Sequence, residues 1–191
     1  MAATSSRKSA LVVIDVQNAV METAWDADGV VSRIGTLIER ARDEGVPVVY
    51  VQHEENGGDM ERDSDGWQIV KDIAPSDSDP VVGKRFGDSF AETTLQETLQ
   101  GLGAGHLVMC GAQTDYCVRT TTNRALVEGY DVTLVEDCHT TDDAIFDMTD
   151  GEKVPMSAKQ IVAHQNRYFY GIGHPGVTAG IAPHHEVEFN A

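Results

Sequence analysis

Apolar residues along the chain gather in short continuous runs, and between the runs they recur every three to four residues. That alternation predicts buried strands exchanging with amphipathic helices. The runs are 10–17 (Ala-Leu-Val-Val-Ile-Asp-Val-Gln), 47–52, 80–83, 105–110 and 130–135. After the first run, Val30, Val31, Ile34, Leu37, Ile38 and Ala41 keep helical spacing, with Gly45 as a stop. Leu95, Leu99 and Leu102 predict a second helix, Ser157 to Tyr168 another, and a further helix is expected from about Thr141. Glu186-Val187-Glu188-Phe189 reads as a last short strand. Residues 54–65 are charged and glycine-rich without periodicity, which predicts a surface loop or lid. The pattern as a whole predicts an α/β fold of three layers, α/β/α, around a mainly parallel, Rossmann-like open sheet of about six strands. No repeat, linker or low-complexity tract interrupts it, and the 191 residues read as a single domain with a substantial core.

One segment carries chemistry within that pattern. Gly105-His106-Leu107-Val108-Met109-Cys110 reads as a buried strand that Gly111 ends, and a helix pattern starts near Cys117 with Thr121 and Ala125 following. Cys117 is thereby expected in a first helical turn, where unpaired N–H groups and the helix dipole favour a thiolate and a lowered pKa. A buried core cysteine is the competing reading. Asp15 ends the first apolar run, where an open parallel sheet binds its ligands, and Lys84 follows the third. Together they offer a base, a cation and a nucleophile. Taken singly, Asp15 reads equally as a turn cap and Lys84 as a solvated lysine.

Three segments, Val13-Ile14-Asp15-Val16-Gln17, Gly83-Lys84 with Ser89-Phe90, and Gly111-Ala112-Gln113-Thr114-Asp115-Tyr116-Cys117-Val118, resemble in order and spacing the isochorismatase-like cysteine hydrolases. That group includes nicotinamidases, N-carbamoylsarcosine amidase, ureidoacrylate and biuret amidohydrolases, streptothricin hydrolase and isochorismatases. The resemblance runs from the first strand to His164-Gln165-Asn166 and implies a catalytic triad of Asp15, Lys84 and Cys117. It also implies a cis peptide at Ala112-Gln113, with backbone N–H groups of Gln113 and Cys117 forming an oxyanion hole. Members that cleave isochorismate lack the cysteine, so Cys117 directs the expectation to an amide, lactam or ureido C–N bond. Gln17, Trp25, His53 and Tyr116 are the candidate substrate contacts. The resemblance further implies a homodimer or larger homo-oligomer.

Nicotinamidases carry Asp-x-His and a further histidine after the second strand, whereas this chain has His53-Glu54-Glu55 and no later histidine before His106. One histidine and one carboxylate make a poor zinc set, so neither metal nor other cofactor is expected. His184-His185, read on a strand, would point to opposite faces and not chelate together. The 31 acidic against 14 basic residues, a net charge of −17, argue against nucleic acid and anionic membrane surfaces as partners. A small molecule is the expected partner. Three cysteines without a disulfide framework, a polar start over residues 1–9 and no apolar run of membrane length point to the cytoplasm. A different class also fits three cysteines, a redox-sensing or non-catalytic thiol protein on the same fold, though no Cys-x-x-Cys is present.

Overall fold

The computed structural model describes residues 7–189; the first six residues, part of the stretch read for a leader, and the last two lie outside it. All of β1 (Ser9–Ile14) is buried, with Ala10, Val12 and Ile14 facing one apolar layer and Leu11 and Val13 the other. A strand covered on both faces has that pattern. In chain order the other strands are β2 (Val48–His53), β3 (Val81–Lys84), β4 (His106–Ala112), β5 (Asp131–Thr140), β6 (Ala144–Asp147), β7 (Lys153–Met156) and β8 (Ala179–Ala182). Six of them form one parallel sheet in the order β3-β2-β1-β4-β5-β8, while β6 and β7 make a separate antiparallel hairpin.

The helices are α1 (Asn18–Met21), α2 (Ala27–Asp43), α3 (Leu95–Leu102), α4 (Arg119–Val127) and α5 (Ala158–Tyr170). α2 covers one face through Val30, Ile34, Leu37 and Ile38. α3, α4 and α5 cover the other through Leu95, Leu99, Leu126 and Phe169. The three layers follow from that division. Ser157 starts α5 with a capping box, accepting from the Gln160 N–H while the Gln160 side chain accepts from the Ser157 N–H.

The strand order places the site. From β1 the chain builds outward through β2 and β3 in one direction, then returns to lay β4, β5 and β8 on the other side. The reversal lies between β1 and β4, and in open α/β sheets ligands bind beyond the carboxyl ends of the strands at such a point. Asp15 leaves β1 there, and residues 113–118 leave β4 beside it.

Three expectations are corrected. Gly111 does not end β4, which continues to Ala112; its φ is +123° and a Cβ there would lie 2.0 Å from the Ile14 carbonyl oxygen, so glycine is required by the close approach of β1. No helix begins at Thr141: β5 runs to Thr140 and the β6–β7 hairpin follows, its turn using Gly151 at φ +87°. The sixth strand is Ala179–Ala182, whereas 186–189 are not a strand; Val187 and Phe189 plug the core on the α2 side.

Candidate active site

Each member of the Asp15, Lys84 and Cys117 set is delivered by a strand end. Asp15 follows β1 with φ +49°, a left-handed conformation that aspartate tolerates better than most residues. Lys84 is the last residue of β3, in register with His53 of β2. Cys117 lies in a π-helical turn, Thr114–Val118, that leads into α4; the Val118 N–H donates to the Gln113 carbonyl at 3.1 Å, closing the wider ring. Turns of this kind concentrate at functional sites. The peptide bond between Ala112 and Gln113, immediately before the turn, is cis.

The side chains meet around the Lys84 ammonium, which is buried. Its Nζ lies 2.7 Å from Asp15 Oδ2 and 3.1 Å from Cys117 Sγ, and it donates to the Phe86 carbonyl at 3.1 Å. His53 Nδ1 stands 3.2 Å from the same Nζ. An ammonium can only donate, and its three protons are shared among four neighbours, His53 Nδ1 being one of them; the other ring nitrogen, Nε2, faces Glu55 Oε1 at 3.5 Å. A cavity of about 380 Å³, lined by Lys84, Arg85, Phe86 and Glu54 among others, opens beside Lys84. Neither Asp15 nor Cys117 lines it, and a wider cavity of about 1000 Å³ against α2 includes none of the three residues.

Electrostatics correct the expectation of a pre-formed thiolate. Burial, reinforced by the Asp15 charge, pushes the Cys117 thiol up to about 11, against the opposing pull of Lys84. Desolvation also raises Asp15, and Lys84, Cys117 and His53 all counter it. Ionising the thiol beside an existing carboxylate would put two anions on one ammonium. The raised thiol puts a neutral Cys117 beside the Asp15–Lys84 ion pair, whose atoms lie 2.7 Å apart.

The 113–115 segment is clamped from one side by residues that follow the bulge in β5. Gln113 Nε2 donates to Asp142 Oδ2 at 2.7 Å, Thr114 Oγ1 lies 2.9 Å from His139 Nδ1, and Thr141 Oγ1 donates to Asp115 Oδ1 at 2.7 Å. Asn166 donates its Nδ2 to the Glu136 carbonyl, so its Oδ1 accepts from His139 Nε2 at 2.8 Å. That fixes the tautomer: His139 Nδ1 accepts from the Thr114 hydroxyl. His139 is fully enclosed, and burial lowers it to about 4. Sequence reasoning passed over His139, Thr141 and Asp142. The signal that marked them is a polar run, Cys138 to Asp143, placed directly after an apolar strand at the carboxyl edge of the sheet.

The remaining candidates separate. The Gln17 amide is fully committed to the scaffold, donating to the His53 and Trp67 carbonyls and accepting from the His53 N–H, so it braces His53 instead of facing a ligand. Trp25 and Tyr116 are 39% and 63% exposed. The Trp25 backbone is tied to Thr140 and Thr141, next to Asp142, which binds Gln113. Phe86, whose carbonyl binds Lys84, is half exposed at the same edge. His53-Glu54-Glu55 does not fit a metal: Glu54 is held by Arg62 and Arg85 at 2.8 and 2.9 Å, and His53 Nδ1 stands against the Lys84 ammonium at 3.2 Å.

Residues 9–154, including all three central side chains, match the isochorismatase domain model. The chain belongs to the isochorismatase family. A streptothricin hydrolase from Streptomyces noursei is 36% identical over 138 residues, 70% of this chain and 55% of that relative, so the family member described here spans little more than half the relative's length. An isochorismatase from Pseudomonas putida superposes with a TM-score of 0.83 at 29% identity, over 97% of this chain and 92% of that one. N-carbamoylsarcosine amidase from Thermoplasma acidophilum gives 0.71 at 26% identity, over 95% and 99%.

Proposed function

We propose that this isochorismatase-family protein is a cysteine hydrolase that cleaves a C–N bond of a small amide, lactam or ureido compound through a thioester on Cys117. The observation that carries the reading is the Lys84 ammonium held 2.7 Å from Asp15 and 3.1 Å from Cys117 Sγ. The names of the streptothricin hydrolase and N-carbamoylsarcosine amidase relatives support the bond class.

The resting proton distribution sets the mechanism. Asp15 takes the thiol proton as Sγ bonds to the carbonyl carbon, so the negative charge passes to sulfur and on to the carbonyl oxygen while Lys84 stays charged. Backbone N–H groups of Gln113 and Cys117 receive the oxyanion. Collapse breaks the C–N bond, Asp15 returns its proton to the leaving nitrogen, and an amine or ammonia departs. Water, deprotonated by Asp15, then attacks the thioester, and the acid leaves as Sγ regains a proton. Phe86, which lines the cavity beside Lys84, contacts the substrate together with the exposed Trp25 and Tyr116, and His53 orients Lys84.

The raised thiol disfavours the redox-sensing alternative, because peroxide reacts with the thiolate. Three free cysteines accord with a reducing, cytoplasmic setting, and among the described residues no helix is long and apolar enough to cross a membrane. Self-association fits the exposed Ile145, Phe146 and Met148 on and beside the β6–β7 hairpin. Sedimentation is expected to give a multiple of the 20.7 kDa chain mass, and a monomer at micromolar concentration would refute that part.

The bond class is tested by following ammonia or amine release from a panel of carboxamides, lactams and ureido compounds. Wild type is expected to turn over at least one class and Cys117→Ala none. Equal release by Cys117→Ala would refute the thioester.

A further inference from the structure

Among the described residues, one group outside the active site brings three metal-ligating side chains together: Asp137, His184 and His185 each offer a ligand atom within 4.8 Å of the others. The sequence pattern argued against His184 and His185 acting together, since neighbours on a strand diverge. They are not on a strand. Residues 183–186 form a turn, closed by the Glu186 N–H donating to the Pro183 carbonyl at 2.9 Å, and the two rings stand edge to face with centroids 5.2 Å apart.

Asp137 comes from the irregular stretch of β5, where pairing with β4 shifts register between Met109 and Gly111. Its carboxylate holds the turn, accepting from the His184 N–H at 2.8 Å through Oδ1 and lying 2.6 Å from His184 Nδ1 through Oδ2. A plain Asp–His contact accounts for those two bonds. It does not account for His185, whose ring belongs to the same cluster with only Glu186 Oε1, 3.7 Å away, as a charged contact of its own.

We propose that Asp137, His184 and His185 form a binding site for a borderline divalent transition metal such as Zn²⁺. Two imidazoles and one carboxylate suit zinc, cobalt, nickel or copper and not magnesium or calcium, which take oxygen donors. Metal–nitrogen bonds of about 2.0–2.1 Å place tetrahedral donors about 3.3 Å apart. The three donor atoms already lie within 4.8 Å of one another; the ion would take the place of the proton between His184 Nδ1 and Asp137 Oδ2, which part from 2.6 Å, and His185, two-thirds exposed, has room to rotate inward. Water or Glu186 completes the shell. The opposing charge is Arg33, whose Nε donates to the Asp137 carbonyl; its guanidinium is paired with Asp26 at 2.7 Å.

The site would act as a staple. Arg40 of α2 already binds the His184 and Val187 carbonyls, and Val187 and Phe189 enter the core behind them. A bound ion joins that C-terminal segment to β5, two residues before His139.

The test uses tag-free, full-length protein titrated with Zn²⁺ by calorimetry, and with Co²⁺ by visible absorption as a report of coordination. Wild type is expected to bind one ion per chain at this site and to melt at a higher temperature with it. His185→Ala, at an exposed position outside the core, is expected to weaken binding at least tenfold and to abolish the thermal shift. Asp137→Asn is expected to do the same, while Cys117→Ala retains both. No binding by wild type, binding indifferent to His185→Ala, or binding lost with Cys117→Ala would each overturn the proposal, the last by assigning the ion to the active-site thiol.

Discussion

Cys117 keeps its proton at rest, and the reason lies in its neighbours. A helix start favours the thiolate, but that benefit is small beside the desolvation of a largely enclosed thiol and the repulsion of a carboxylate held by the same ammonium. The two roles of Asp15 therefore separate in a variant. Asp15→Asn removes the charge that opposes ionisation, so the Cys117 thiol is expected to titrate below its wild-type value of about 11 and to alkylate faster at neutral pH. The same variant lacks the proposed base and is expected to lose turnover by about 10²-fold or more. Iodoacetamide rate against pH, read beside turnover, checks both; a thiol that titrates higher in Asp15→Asn would contradict the arrangement. The positions of Asp15, Lys84 and Cys117 were legible in the chain, because each closes or follows an apolar run. The protonation state was not, because burial and the Asp15–Cys117 juxtaposition exist only once three separate strand ends meet.

Elements that carry no reacting group hold the reacting segment in place. His139 of β5 and Asn166 of α5 grip Thr114, and burial keeps His139 neutral down to about 4. The unfolded chain, with a histidine titrating near 6.5, takes up a proton that the folded chain refuses. The stability this contact carries is therefore complete above about pH 6.5 and lost as the pH falls toward 4, by about 3 kcal/mol in all. Urea unfolding at a series of pH values is expected to show that slope, and to show it flattened in His139→Gln; an unchanged slope in the variant would refute the assignment. The strands of the sheet's centre were readable as apolar runs because they are buried on both faces. Ala179-Gly180-Ile181-Ala182 was not, since two alanines and a glycine carry little strand preference and its place is set by pairing with β5. The segment after Thr140 misled for a related reason: a polar run gives no periodicity, and its side chains are committed to the 113–115 segment, Ala158 and Thr23 instead of a helix.

At the scale of the whole molecule, the strand order explains how Asp15, Lys84 and Cys117, spread over about a hundred residues of sequence, come together. Its reversal between β1 and β4 puts Asp15 and the segment of Cys117 after neighbouring strand ends at the carboxyl edge, and β3 brings Lys84 in from the outer strand. The three-layer architecture and five of the six sheet strands follow directly from alternating apolar runs and amphipathic stretches. The clamp on 113–115 and the cluster at Asp137 do not, because both join segments that only the fold makes adjacent. The central claim is a covalent bond between substrate carbon and Cys117. Rapid acid quench of the enzyme during turnover of an active amide, followed by intact-mass and peptide analysis, tests it most directly. The account predicts an added acyl mass on the peptide containing Cys117, absent in Cys117→Ala; turnover that persists in Cys117→Ala, with no adduct at Cys117 in wild type, would contradict it.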